Sequence, residues 1–422
     1  MSSVPNILNK NFALRGAVWI IPAILIALLP LFFKSGFAIN ALNEIGIMII
    51  FALSYNMLLG QSGMLSFGHA VYSGMGAYLT IHALNLIGKG SFSFPVTMLP
   101  LIGGLAGMLC GVVLGYVSTK RAGTTFAMIS MGIGEMVAAC SLMFPGFFGG
   151  EAGISGNRMV GKGWFGISYG PAIEVFYLIA AWMMLAIIAM YALTHTPLGR
   201  MMNAVRDNPE RAEFVGYNPQ RVRYLAMILA GFFAGIAGGL SAINYEIVTA
   251  EAVGAIRSGN VLVMAFIGGM GQFFGPILGA VLMVFLGMTL SGITKAWLFY
   301  FGILFLSMVL FAPGGLSGLI FMHLPAMKSG QLHKLFPSYL AAFISGLIAF
   351  SGVAGLVELT YRRLAETDHK LKVFGTVVDS EQAMPWIASL VLIALGAWLY
   401  RGAWKKVQAD WRVVNLLTYG GK

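Results

Sequence analysis

The sequence predicts an all-α, polytopic transmembrane helical bundle, and three observations carry that reading. Of 422 residues, 58% are hydrophobic and only 10% charged, whereas a soluble domain carries about 25% charged residues. Mean hydropathy is +0.83. Apolar runs of roughly the 20 residues that a helix needs to cross a bilayer recur along the chain, and the alternating pattern of a membrane β-barrel is absent. With no water in the hydrocarbon layer, such runs must close their backbone hydrogen bonds within helices.

Taken in order, the runs fall near 17 to 33, 41 to 60, 67 to 87, 97 to 118, 125 to 145, 172 to 194 and 224 to 244. A glycine-rich pair follows near 258 to 276 and 277 to 294, then a run from 297 to 312. That makes about ten core spans on the 20-residue ruler. The polar start, MSSVPNILNKNFALRG, leads into a run with Pro22 and Pro30 and no small-residue cleavage site behind it, so the first run reads as a retained span. Beyond 320, a run from 335 to 357, a charged loop from Arg362 to Glu381 and a run from 385 to 400 read as an appended C-terminal helical pair. The expected organisation is a domain over 1–320 and an extension over 321–422 with two transmembrane helices.

The formal charge of +11 reports topology rather than nucleic-acid binding, because the basic residues fall in short segments between apolar runs. With 194 to 223 in the cytoplasm, Lys10, Arg15, Lys120, Arg121, Lys328 and Lys334 also lie inside, and the glycine-rich 146 to 171 loop lies outside. The loop carrying Arg362, Arg363, Lys370 and Lys372, offset by Glu366, Asp368 and Asp379, then faces outward. Cys110 and Cys140 sit inside apolar runs and read as packing, not as a disulfide or metal pair. Gly107, Gly111 and Gly115 line one helix face and Gly231, Gly235 and Gly239 another, the spacing of close helix contacts in lipid. Two glycine-punctuated segments, GQSGMLSFGHAVYSGMGAY (60 to 78) and FIGGMGQFFGPILGA (266 to 280), occupy the two halves of the chain. Such pairs mark interrupted helices around a transport site, or arise from packing alone.

Between two spans lies the arginine-rich stretch THTPLGRMMNAVRDNPERAEFVGYNPQRVR. It repeats one punctuation three times: Thr196-Pro197, Asn208-Pro209 and Asn218-Pro219. A capping oxygen accepts from the free amides of a helix's first turn, and proline at the first position has no amide to leave unpaired. Three helix starts follow. The first helix, near 197 to 206, is amphipathic through Leu198, Met201, Met202 and Val205; the second, near 209 to 215, carries Glu210 in its first turn and stops at Gly216. Two readings fit: an interfacial helix resting on lipid, or a helix inserted by its apolar residues into a groove of a soluble partner.

The segment TPLGRMMNAVRDNPERAEFVGYNPQRVRYLAMILAGFFAGIAGGL resembles the cytoplasmic coupling region and following span of the bacterial ABC permeases for branched-chain amino acids, of the LivM type. Similar matches are YNMLLGQSGMLSFGHAVYSGMGAY, GEMVAACSLMF, FFGGEAGISG, VLVMAFIGGMGQFFGPILGA and FGILFLSMVLFAPGGLSGL, collinear over about 40 to 320. The resemblance implies an inner-membrane ABC importer permease domain over 1–320, with a coupling element at 195–220. It further implies a second related permease, two cytoplasmic ABC ATPases and a periplasmic substrate-binding protein. On this view Gly199, Arg200, Asn208, Pro209, Glu210 and Gly216 belong to the part that meets the ATPase. Two departures bear on the solute: Ala138 stands where such permeases carry arginine, and Glu151-Ala152 replaces their usual asparagine in the external loop.

Other candidates come from chemistry. A charged carboxylate mid-span costs ~2.5–3.5 kcal/mol on insertion scales, so Glu135 either ties two helices together or lines a pathway. Gln61, Ser62, Gly63, Ser66 and His69 form a polar cluster at an expected helix interruption and are assigned to pathway lining. His69 and His82 lack a partner in HxxxH or HExxH spacing, so no metal is expected. Glu246, Glu251 and Arg257, with Arg158 and Lys162, fall in external connections, as solvated charges or as a surface for the binding protein. GNRMVGKG (156 to 163) has the GxxxxGK spacing of a phosphate loop, but it lacks the following Ser or Thr and a preceding strand. The chain is therefore expected to be no enzyme and to need no cofactor, with ATP hydrolysis in a partner. The solutes in view are branched-chain or related amino acids, with urea or another small polar solute as the alternative; a proton-coupled secondary transporter using Glu135 is the competing transport mechanism.

Overall fold

All ten apolar runs of the core fold as helices. The computed structural model describes residues 7–160, 168–365, 370–373 and 376–419, which form two compact units: Met1–Met288 with Met308–Ser317, and Thr289–Ser307 with Gly318–Lys422. Lys162, Glu366 and Asp368, and the end of the phosphate-loop lookalike, lie outside the described residues.

Along the first unit run α1 (Ile7–Phe32), α2 (Gly36–Asn56), α3 (Ala70–Gly88), α4 (Leu99–Ser118), α5 (Thr124–Met143) and the single turn α6 (Pro145–Phe148). After them come α7 (Ala172–His195), α8 (Pro197–Asp207), α9 (Pro209–Phe214), α10 (Pro219–Tyr245), α11 (Ala255–Gly268) and α12 (Gly275–Ile293). Next are α13 (Trp297–Phe311), α14 (Gly315–Lys328), α15 (Phe336–Ala365) and α16 (Ala383–Tyr419). Among the described residues, eight helices are long and apolar enough to cross a membrane, or nine if α13 and α14, bent by 45°, form one span. The expected dozen runs thus exceed the helices that qualify. The shortfall has local causes: α11 and the apolar part of α1 are short, and α3 carries Ser73, Thr80, His82 and Asn85. Buried among other helices, α3 need not be apolar all round.

The core of the first unit is the α4–α10 contact, and glycine builds it. A Cβ on Gly107 would stand 2.9 Å from Gly235 Cα, and one on Gly111 3.0 Å from Ile228 Cα. Only hydrogen at these positions lets two backbones come so close, which replaces the hydrophobic drive that lipid does not supply. Burial follows this seam: 83% of the apolar window of α10 is enclosed, against 28% for α5. So α10 is the axis of the unit, and α5 lies at its rim.

One end of this unit is held by a small ribbon, β1 (Ile154–Ser155) antiparallel to β2 (Ile247–Val248). The Arg158 guanidinium donates to the carbonyls of Tyr169, Asn244 and Gly170 at 2.7 to 3.0 Å, and its amide donates to the Glu246 carboxylate at 2.8 Å. Glu246 ends α10 with φ of 56°. Far from being free loop charges, these two residues clamp the connections together. At the opposite end the Lys120 ammonium lies 4.6 Å from the Tyr116 ring centroid, beside Tyr224 at the start of α10.

In the second unit α15 and α16 pack side by side. Gly352 meets the Ser389 carbonyl and Gly396 meets Ala349. Glu358, a mid-span carboxylate that hydropathy does not single out, accepts from the hydroxyls of Thr294 at 2.6 Å and Tyr300 at 3.2 Å. Within the charged loop, β3 (Lys370–Val373) pairs with β4 (Thr376–Asp379). The all-α class holds, with these two short ribbons added. At 37 residues, α16 is about 55 Å long, nearly twice a hydrocarbon core of about 30 Å. It outruns the expected 385 to 400 segment, and the overrun carries Arg401, Lys405, Lys406 and Arg412.

Candidate functional site

The polar element folds from its caps. The Gly199 amide donates to Thr196 Oγ1 at 3.3 Å, that of Arg211 to Asn208 Oδ1 at 2.9 Å and that of Arg221 to Asn218 Oδ1 at 3.1 Å. All three helix starts read from the sequence are present, and Pro197, Pro209 and Pro219 each occupy the first turn. Gly216 closes α9 with φ of 91°, the left-handed turn that glycine takes without strain.

The orientation of α8 corrects one expectation. Of the four residues in its apolar stripe, Met202 and Val205 are fully buried within the chain itself, while Leu198 and Met201 are half-buried. Gly199 is buried too, because a Cβ there would lie 2.7 Å from Thr194 Cα at the end of α7. Turning that face inward satisfies the hydrophobic stripe at home. Outward stand Arg200, Asn208, Glu210, Arg211 and Gly216, with Pro209 half-buried. Phe214 is 91% exposed and Val215 71%, so the outward apolar contact lies at the end of α9.

The second feature is a broken span. From Met57 to Gln61 the end of α2 widens into a π-turn, and the Met64 amide reaches back to the Leu58 carbonyl at 2.9 Å. Gly63, at φ of 69°, then turns the chain. Residues 62–69 run back without helix along α2, and their polar backbone is met by side chains from three helices. Tyr55 donates to the Ser66 carbonyl at 3.1 Å; the amides of Phe67 and Ala70 each donate, at 3.0 Å, to the hydroxyls of Ser130 and Ser258. Irregular backbone at membrane depth is tolerated only with such partners or beside a cavity. These three hydroxyl residues escaped the sequence reading: Ser130 is a lone polar residue in an apolar run, and Tyr55 and Ser258 are not singled out among their polar neighbours Ser54, Asn56, Arg257 and Asn260.

Five of the assigned residues share this break. Gln61, Ser62, Ser66 and His69 are buried, and Gly63 is exposed. Ser62 Oγ donates to the Leu58 carbonyl at 2.7 Å. Ser54 spends its proton on the Phe51 carbonyl at 2.7 Å and therefore accepts from His69 Nε2 at 3.0 Å. That fixes the Nε2–H tautomer. His69 Nδ1, Ser66 Oγ and Gln61 Oε1 are buried and have no hydrogen-bond partner among the described residues, which leaves acceptors for a polar species inside the bundle.

Glu135 is not brought into that cluster. It stands on the exposed rim face of α5 near Met131 and Met136, next to Gly134, whose Cβ would lie 3.2 Å from Gly68 Cα. A cavity of about 540 Å³ opens between the break and α5, lined by Leu65, Phe67, Ala127, Met128 and Met131. Of the external charges, Glu251 is exposed. Arg257 is instead half-buried in α11, its Cζ 5.8 Å from the Phe51 ring centroid, so it is no solvated loop charge. His82 Nε2 meets the Phe147 carbonyl at 2.8 Å.

The two features touch. Arg206, near the end of α8, donates to the Gly60 carbonyl in the π-turn, and a Cβ on Gly63 would lie 2.9 Å from Arg206 Cγ. A Cβ on Gly60 would stand 2.5 Å from the Met270 carbonyl oxygen, in the glycine-rich turn joining α11 and α12. The two glycine-punctuated segments are thus both interruptions, and they meet at one point.

Interrupted helices meeting beside a separately capped surface element, in a chain with eight apolar spans among the described residues, fit the class of membrane permeases. Relatives specify which kind. The chain belongs to the family of branched-chain amino acid transport system permease components, whose pattern matches residues 37–313. The high-affinity branched-chain amino acid transport system permease protein LivM of Salmonella typhimurium is 29% identical over 306 residues, covering 68% of this chain and 71% of LivM. LivM of Escherichia coli is 29% identical over 291 residues, 64% of this chain and 67% of its own. The ribose import permease protein RbsC of Escherichia coli is 24% identical over 296 residues, 66% of this chain and 86% of its own. No solved structure matches. The chain is a multi-pass inner-membrane permease of the ABC-transporter type.

Proposed function

We propose that this chain is one permease subunit of an ABC importer that moves branched-chain or related amino acids delivered by a periplasmic binding protein. It pairs with a second, related permease and is driven by two cytoplasmic ATPases. The observation that carries this reading is the capped pair α8–α9, which buries Met202 and Val205 within the chain and turns Arg200, Glu210 and Phe214 outward. A helix merely lying on lipid turns its apolar side out, whereas α8 turns Met202 and Val205 inward. Arg200 and Glu210 are the outward contacts with the ATPase. Asn208, Pro209 and Gly216 set the angle between the two short helices, and Gly199 seats them against α7.

The solute path runs along the break, with Gln61, Ser62, Gly63, Ser66 and His69 offering polar atoms and Glu135 facing the second permease. A mid-span carboxylate on an open face is costly in lipid, which supports a covered position in the assembly. The family's resemblance to sugar permeases and the Ala138 departure keep a different small polar solute as the reading to be beaten.

Two measurements test the proposal. The chain is expected to co-elute with an ABC ATPase, and Arg200→Glu with Glu210→Lys to abolish co-elution while the bundle stays folded; retained co-elution refutes the docking assignment. Uptake of leucine, phenylalanine, glutamate, urea and ribose into proteoliposomes is expected to need the binding protein and to favour leucine. Undiminished uptake without the binding protein refutes the importer reading, and preference for urea or ribose refutes the amino acid assignment.

A further inference from the structure

From the contact of Arg206 with the π-turn, we infer that Gly60 is the node through which movement of α8 reaches both interrupted segments, with Arg206 as the positioning residue that holds the node to α8. This rests on the proposed function. Three observations converge. The Arg206 guanidinium donates to the Gly60 carbonyl across 146 residues of sequence. The stem of the same side chain packs on Gly63, where a Cβ would be only 2.9 Å from its Cγ. The other side of Gly60 lies against the Met270 carbonyl, so a Cβ there would be 2.5 Å away. One backbone unit is therefore pinned between the surface element and the turn of the α11–α12 hairpin.

The local chemistry suits a moving joint. In a regular helix the Gly60 carbonyl would accept from an amide four residues on; the π-widening and the Gly63 turn break that register, and Arg206 supplies the donor. A guanidinium donor can follow a carbonyl through a rotation, because its five N–H groups form a fork on a long stem. The neighbouring carboxylate of Asp207 receives Arg206 Nε at 2.9 Å, which orients the fork toward Gly60. The tip of α8 thus grips the break at a place where the backbone has no helical bond to lose. Gly60 must stay small for both neighbours to reach it, whereas its carbonyl must stay bonded for either to be moved.

The assembled transporter, with both permeases, the ATPases and the binding protein in proteoliposomes, provides the test with leucine as the probe. Arg206→Ala is expected to leave ATPase co-elution and basal ATP hydrolysis unchanged and to lower leucine uptake about tenfold, within the usual range of a coupling between sites. ATP consumed per leucine then rises. Arg206→Lys, which restores one donor at the same reach, is expected to recover part of the uptake. Asp207→Ala, which removes only the orienting carboxylate, is expected to fall between wild type and Arg206→Ala. In the purified chain alone, Arg206→Ala is further expected to raise hydrogen exchange at 58–66 and at 268–274 together.

Unchanged uptake in Arg206→Ala overturns the inference, as does a parallel loss of uptake and ATPase co-elution, which makes Arg206 a docking residue. Exchange that rises at 58–66 and not at 268–274 overturns the two-sided node. A wild-type chain that recruits no ATPase overturns the proposed function itself, and this inference with it.

Discussion

At the scale of single residues, the site is held by hydroxyl groups that hydropathy ignores. Tyr55 reaches the Ser66 carbonyl from α2, and Ser130 and Ser258 receive the amides of Phe67 and Ala70 from α5 and α11. Tyr55→Phe keeps the ring and strands a buried carbonyl, a loss of ~1–3 kcal/mol. Its thermal midpoint in detergent is expected to drop measurably while the chain still inserts; an unchanged midpoint refutes the role given to the phenol. The residues named from sequence fared unevenly by this measure. His69 and Ser66 lie inside the break, because a polar residue flanked by glycines advertises irregular backbone. Glu135 lies on the rim, because hydropathy gives a residue's depth along a span but not which way it faces. The partners Ser130, Ser258 and Arg206 were illegible for a plainer reason: each acts across a long sequence separation, on a backbone atom that carries no side-chain signal of its own.

At the scale of elements, local rules were readable wherever water reaches the chain. The caps Thr196, Asn208 and Asn218 each fix a helix start, and their oxygens follow from the same Ser/Thr/Asn–Pro grammar that holds in soluble proteins. The break between α8 and α9 depends on one of them. Asn208→Ala removes about 1 kcal/mol of capping from a two-helix element with few other constraints. Loss of ATPase co-elution with an unchanged thermal midpoint of the bundle is the expected result, and co-elution at wild-type strength counts against it. Within the bilayer the same grammar is silent. The limits of α2 and α11 were set by π-widening and by glycine contacts to other helices, so the runs expected near 41 to 60 and 258 to 276 are interrupted: α2 stops at Asn56 and passes into the π-turn, and α11 stops at Gly268.

At the scale of the whole molecule, the charge pattern predicts sidedness. The ribbon of β1 and β2 with the Arg158 clamp gathers the connections expected outside at one end of the first unit, and the contact of α8 with Gly60 marks the other. With Cys110 and Cys140 replaced, a cysteine at Glu210 is expected to react with an impermeant maleimide only from the cytoplasm and one at Glu251 only from the periplasm. Labelling of both from one side overturns the topology. The second unit was less legible, since α16 extends far past its apolar run and Glu358 bonds to Thr294 and Tyr300 without a sequence cue. Those bonds lie within the second unit, where they tie α15 to Thr294 and to α13.

The strip from 62 to 69 owes its shape to hydroxyls borrowed from elsewhere, and that has an evolutionary corollary. Selection there bears on the lenders Tyr55, Ser130 and Ser258, and on two glycines of the borrower: Gly63, which makes the left-handed turn, and Gly68, where a Cβ would run into the Ser130 carbonyl. Drift at the strip's other positions leaves those fastenings in place.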